Sequence, residues 1–381
     1  MREIAASAGF KTHHPTKVGQ EAARLVGALR HPGGLLVFVG GSLATQLTDV
    51  AAAVAQSCPG VPALVASGAW VSHEQGELED DSAAVVLAYD GKPATLLAVD
   101  ADDPTRLGEE LERALGDERA AGASAIFLLC RSDRFAPELL LPLARLTDAP
   151  RIFGGGTIGE PGAIAVAPGG AAATGGAVAM LLHGMSPPVV GVSPASRILT
   201  PLYEITERDG PIVLRLNDEA ALDVLTGAGD QLHGQPLLFA ALVDDLPDDA
   251  DHDRPHVLLR PIRGVDPTRR GLVITDEIGP RTRMAIAARD AEAARDDLES
   301  MARQVYRSTR GAALRFGIYV NCAGRGSSLY GSYDVDVRVL RHAFPNMPLV
   351  GLSSAFEIAP HRDQPRLHLY TGVLAVFTAP S

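Results

Sequence analysis

Short apolar runs that end in glycine or other small residues, each followed by an amphipathic stretch, recur at three places along the chain. In the first, residues 35–39 read as a buried strand and Gly40-Gly41-Ser42 as a turn, with Leu47, Val50, Ala51 and Val54 on one helix face. Pro62 then opens a strand that ends at Ser67-Gly68-Ala69-Trp70, and residues 84–89 give another. The second place repeats the order with strand 125–129, helix 137–146, strand 150–156 and strand 177–182. The third has strand 316–320, helix 334–344, strand 348–353 and strand 371–377. Each time the second strand opens on a proline and closes on small residues, as internal duplication predicts.

Between these units, residues 189–206 are punctuated by Pro and Ser, and 212–216 reads as a short strand. Asn217-Asp218-Glu219 then reads as a helix start, an Asn cap with acids in the first turn, continued by Ala221, Val224 and Leu225. Strands are predicted at 237–243, 257–262 and 271–275, and a helix over 290–306 with Ala294, Leu298, Met301 and Val305 on its apolar stripe. The expected class is α/β: two related halves with mixed β-sheets flanked by helices, built from repeated strand-helix-strand-strand units. The expected division is an N-terminal extension over 1–30, a first half over 31–215 and a second over 216–381.

Composition narrows the function. With 381 residues, 46% of them hydrophobic, the chain has enough apolar side chains for real cores. A formal charge of -12 argues against nucleic acid or an anionic membrane as partner, because such binding rests on clustered Lys and Arg. The first residues, MREIAASAGFKTHH, lack the apolar core of a signal peptide, so the expected setting is cytoplasmic. Cys58, Cys130 and Cys322 are scattered without metal-ligand spacing, which predicts reduced thiols, no thiolate metal site and no cofactor held by them. The Asp-rich loop at 244–255, with His252, has no recognised ligand spacing and reads as solvated surface.

The candidate chemistry gathers near the C-terminus. There a strand empties into Asn321-Cys322-Ala323-Gly324-Arg325-Gly326, and Phe356-Glu357-Ile358 follows a second strand. Apolar strands ending in glycine-rich polar loops are where ligand pockets form. Arg325 offers a bidentate fork for a carboxylate, and Glu357, placed opposite in direction to Phe356 and Ile358 on a strand, a seat for an ammonium group. Together they predict a zwitterion clamp, with Cys322 and His368 on the pocket wall and the amides of Gly324, Gly326, Gly155 and Gly156 as donors. Two other readings stand beside it: a cysteine-dependent amidase or transferase with Cys322 as nucleophile, and a protein-interaction scaffold.

These segments carry a resemblance. Gly154-Gly155-Gly156, residues 176–184, residues 198–206 followed by Gly210-Pro211, Pro261-Ile262-Arg263-Gly264-Val265-Asp266, the Cys322 to Gly326 loop, residues 348–351, Phe356-Glu357-Ile358 and residues 367–373 follow one another with the spacing of the FIST domain family. The chain resembles that family, N-terminal and C-terminal regions together, over roughly residues 30–378. The resemblance implies a sensory or ligand-binding module of signal transduction, with amino acids or their derivatives as ligand class and a signalling protein as non-covalent partner. It implies no established enzyme activity.

Overall fold

The computed structural model describes residues 4–119, 122–146, 151–229, 237–243, 257–274, 278, 282–361 and 364–380. The Asp-rich loop at 244–255 lies outside the described residues. The chain forms two compact units, one of Met1–Ser193 with Leu298–Ser381, the other of Pro194–Asp297.

The larger unit contains the three repeats. The first runs β1 (Ala5–Lys11), α1 (Pro15–Ala28), β2 (Pro32–Gly40), α2 (Leu47–Ser57), β3 (Ala63–Ser67), a hairpin β4 (Val71–His73) and β5 (Gly76–Leu78), and β6 (Ala83–Asp90). The second runs β7 (Thr95–Val99), α3 (Pro104–Arg119), β8 (Ala123–Arg131), the short α4 (Leu140–Leu143), β9 (Arg151–Thr157), a hairpin β10 (Ala163–Val166) and β11 (Ala172–Ala173), and β12 (Ala177–His183). The third opens with β13 (Val189–Pro194).

The smaller unit is inserted in sequence at this point. Its elements are β14 (Ser196–Ile198), β15 (Tyr203–Asp209), β16 (Ile212–Leu216), β17 (Glu219–Ala220), α5 (Ala221–Gly229), β18 (Leu238–Val243), β19 (Leu258–Asp266), β20 (Gly271–Ile274) and β21 (Arg283–Arg289). The ladder β21-β15-β16-β20-β19-β18 returns to β21, so these antiparallel strands close on themselves. Val213, Ala240, Leu242, Leu272, Met284 and Ile286 fill its core with Ala221 and Val224 of α5. Asn217 is not the predicted helix cap. Its φ of 49° puts it in the left-handed turn between β16 and β17, and helix α5 begins after that pairing.

The third repeat resumes with α6 (Ala291–Ser308), β22 (Leu314–Cys322), α7 (Gly326–Tyr330), α8 (Val335–Ala343), β23 (Leu349–Ser354), a hairpin β24 (Glu357–His361) and β25 (Gln364–His368), and β26 (Thr371–Thr378). In every repeat the two apolar strands pair in parallel, as the helix crossover between them requires, and the last strand lies antiparallel on the first.

The hairpins do not stay with their own repeat. Among the described residues the three sheets run β1-β6-β2-β3-β10-β11, β25-β24-β9-β8-β12-β7 and β13-β26-β22-β23-β4-β5. Repeat one lends its hairpin to the sheet of repeat three, repeat three to repeat two, and repeat two to repeat one. The sheets turn one face to a shared core, where Phe38 meets Phe127, Phe153 meets Phe377 and Tyr89 stacks on Phe316 across three sheet pairs. Helices cover each outer face with its own apolar cluster.

Two expectations change here. Residues 5–11 and 15–28, read as an extension, supply the edge strand and first helix of repeat one. The helix expected over 137–146 shrinks to a 3-10 turn and the single turn of α4. Gly154 shows how tight the sheets are: its φ is 152°, and a Cβ there would lie 1.8 Å from the Leu128 carbonyl oxygen.

Candidate ligand-binding site

Three of the expected residues meet on the inner face of the third repeat's strand ends. Cys322 continues the inward row of Ile318 and Val320 along β22. Glu357 opens β24 beside Gly155 of β9 and directly opposite His368 of β25. All of Glu357, His361 and His368 are buried.

Glu357 is held from two sides. One carboxylate oxygen accepts the Ser354 hydroxyl at 2.9 Å, and the other accepts the Thr371 hydroxyl at 2.7 Å and its backbone N–H at 3.1 Å. Burial pushes its pKa up to about 7, against the pull of these hydrogen bonds and of the Arg325 charge. A carboxyl poised there changes charge near neutrality.

Cys322 receives the Gly324 N–H at 3.4 Å. Burial first, and the Glu357 charge second, push its thiol up to about 11, so at neutral pH the sulfur carries its proton. That is the opposite of the electropositive setting that activates a nucleophilic cysteine.

Arg325 points the other way, into the helix layer. Its guanidinium is 1% exposed and grips Asp336 of α8 with two N–H groups, at 2.8 and 3.1 Å. It also donates to the Ser193 carbonyl at 3.1 Å and to the Tyr330 hydroxyl at 2.9 Å. Tyr319 and Tyr330 donate their hydroxyls to the same Asp336. Burial alone would raise the Asp336 pKa, but the Arg325 charge and these bonds hold it below the usual carboxylate range. The fork expected to clamp a ligand carboxylate is therefore spent on Asp336, 11 positions along the chain.

The glycines serve packing as well. The Gly156 N–H donates to the Phe356 carbonyl at 2.8 Å, and a Cβ on Gly156 would strike the Phe356 ring at 2.4 Å. Gly155 has Val320 and Ser354 against it. Gly326 has a φ of 52°, and a Cβ there would lie 2.5 Å from the Glu79 carboxylate that accepts the Ser327 N–H. Gly324 places its N–H on the Cys322 sulfur.

The sequence did not single out Asp336, Tyr319, Ser354 or Thr371. Asp336 reads as an ordinary acid in the first turn of a helix, and only its place between the buried Val335 and Val337 hints at burial.

Models of two domains match the chain, the FIST N domain over residues 35–219 and the FIST C domain over residues 220–360. The chain belongs to the FIST family. Domains of this family are associated with sensory functions in signal transduction. The boundary between the matched domains falls inside the smaller unit, after β17 begins, so the family halves and the compact units divide the chain differently. Two uncharacterized proteins of Mycobacterium tuberculosis, from strains H37Rv and CDC 1551 / Oshkosh, are each 28% identical over 196 residues. That stretch is 49% of this chain and 50% of each relative, so the alignment spans about half the length of the curated relatives. Among the described residues no helix of this FIST protein is long and apolar enough to cross a membrane.

Proposed function

We propose that this FIST protein is a cytoplasmic small-molecule sensor whose ligand, an amino acid or a derivative, presents its ammonium group to Glu357, with Cys322 and His368 beside it. One comparison carries the reading. By strand register Glu357 is the equivalent of Val71 in repeat one and Ala163 in repeat two, and its partner His368 is the equivalent of Leu78. Two of three repeats build this position with apolar side chains, so the scaffold needs no carboxylate there. A buried carboxyl opposite an imidazole, where an apolar pair suffices, costs stability and is kept for what it binds.

An ammonium at Glu357 would favour the ionised carboxylate and so couple ligand occupancy to proton release. With Arg325 engaged by Asp336, the ligand's other end falls to backbone amides or hydroxyls. The signal passes to a separate protein partner. The test is thermal unfolding and isothermal titration against a panel of amino acids and their amides, with Glu357→Gln as control. The expected result is a binder that raises the melting temperature and loses at least tenfold in affinity in the variant. No binder in the panel, or unchanged affinity in Glu357→Gln, overturns the reading.

A further inference from the structure

A second polar site lies at the tip of the exchanged hairpin of repeat one. A cavity of about 300 Å³ opens between β5, the loop that follows it and the segment joining α7 to α8. Its walls carry Glu77, Glu79, Asp80, Asp81 and Asp334, against which Lys11 is the one cation among its lining residues. Lys11 sits on Asp81 at 2.5 Å and is itself largely exposed, which shows an alkylammonium seated on this rim.

Most of the other acids answer to protein donors. Glu79 accepts the Ser327 N–H and hydroxyl, and Asp80 accepts the Tyr333 hydroxyl. Glu77 and Asp334 exchange bonds, each accepting the other's backbone N–H at 2.6 Å. The exception is the second oxygen of Glu77: the residue is 8% exposed, lines the cavity, and its Oε1 has no hydrogen-bond partner among the described residues. A buried carboxyl oxygen left without a partner is costly unless something completes it. Here too symmetry marks the residue as an addition. By register Glu77 is the equivalent of Leu367 in repeat three, an apolar residue on the outer face of its sheet.

We propose that this acidic cavity is a binding site for an organic polycation, a chain bearing two or more primary or secondary ammonium groups, with Glu77 at its inner end and Asp80 and Asp81 at its mouth. The spread of carboxylates from a buried to an exposed position suits spaced ammonium groups on a flexible chain. The groups facing Glu77 are Glu79 on its own segment, Tyr330 of α7, and Asp334 and Asp336 at the start of α8. Burial, then the negative charge of these acids, raises Glu77 to about 8, so it is mostly protonated at pH 7 and an arriving ammonium displaces that proton.

The experiment is isothermal titration of the full chain with spermidine at pH 7 and low salt, in two buffers of different ionisation enthalpy. The expected result is saturable binding with release of close to one proton. Glu77→Gln should lose about tenfold or more in affinity and lose the buffer dependence. Asp80→Asn, at the exposed rim, should weaken binding in the same direction with an unchanged melting curve. Glu357→Gln should bind spermidine as the parent does, which separates this site from the one proposed above. The proposal is overturned by absence of saturable heat, by unchanged affinity in Glu77→Gln, or by a response to MgCl2 in place of spermidine.

Discussion

Replacing Arg325 with Met, Arg325→Met, keeps a long side chain in the helix layer and removes the charge. The structure fixes what is lost: two charge-assisted bonds to Asp336 and the bonds to the Ser193 carbonyl and the Tyr330 hydroxyl. Asp336 stays behind, 0% exposed, with, among the described residues, the hydroxyls of Tyr319 and Tyr330 left to hold a negative charge. Removing one partner of a buried pair costs about 3–5 kcal/mol, because an uncompensated charge remains. Against a total stability of about 5–15 kcal/mol for a folded protein, that is a large fraction. Urea unfolding at pH 7 should show the loss as a lower midpoint with an unchanged slope. Neutralising the orphan with Asp336→Asn in the Arg325→Met background should recover part of it. The pH dependence gives a second sign. In the parent, Asp336 is depressed, so its contribution is present above the ordinary carboxylate range and is lost as pH falls through its folded value. In Arg325→Met, burial raises the same carboxyl, so the variant gains stability relative to the parent as pH falls toward that range. An Arg325→Met protein as stable as the parent, or one that loses only ligand response, refutes the architectural role argued for this arginine.

Glu357 gives the opposite pH signature: raised from the ordinary 4.5 to about 7, it favours the folded state below 4.5, and that contribution is lost as pH rises through 7. Relative to Glu357→Gln, the parent should lose about 3 kcal/mol between pH 4.5 and pH 8 in urea unfolding, and parallel profiles would sink the assignment. Iodoacetamide should label Cys322 in the folded chain at pH 7 roughly a hundredfold more slowly than a free thiol, as expected of a thiol at about 11, while the urea-unfolded chain labels normally. Fast labelling of the folded chain would restore the cysteine-enzyme reading.

The repeats were legible in the sequence because each rests on two strands buried on both faces, which read as unbroken apolar runs such as 35–39, 125–129 and 316–320. The hairpins were not. β4, β10 and β24 are short, and their partners lie in other repeats, so no local pattern reveals that Val71 pairs with Leu352 or Glu357 with Gly155. β1 escaped notice because Ala5-Ala6-Ser7-Ala8-Gly9 is built of small residues with weak strand preference, and it is the pairing with β6 that makes it a strand. At the site, strand alternation placed Glu357 opposite to Phe356 and Ile358, and the structure puts those apolar neighbours in the helix-side cluster of the second sheet. Arg325 failed as a clamp for a reason outside local pattern: its partner Asp336 comes from a helix that folds back over the strand, and a guanidinium in that dry layer is held by the nearest buried acid.

The exchange of hairpins around the three sheets has a consequence for how this scaffold diversifies. The same handing-on could be made by three separate copies of one repeat, and a ring of identical chains would carry three identical strand-end mouths. Written as a single polypeptide, the ring is released from that identity. Val71 and Leu78, Ala163, and Glu357 with His368 occupy matching places with different chemistry, and Glu77 sits where another repeat has Leu367. Each repeat can therefore change the chemistry at its own strand end while all three share one core.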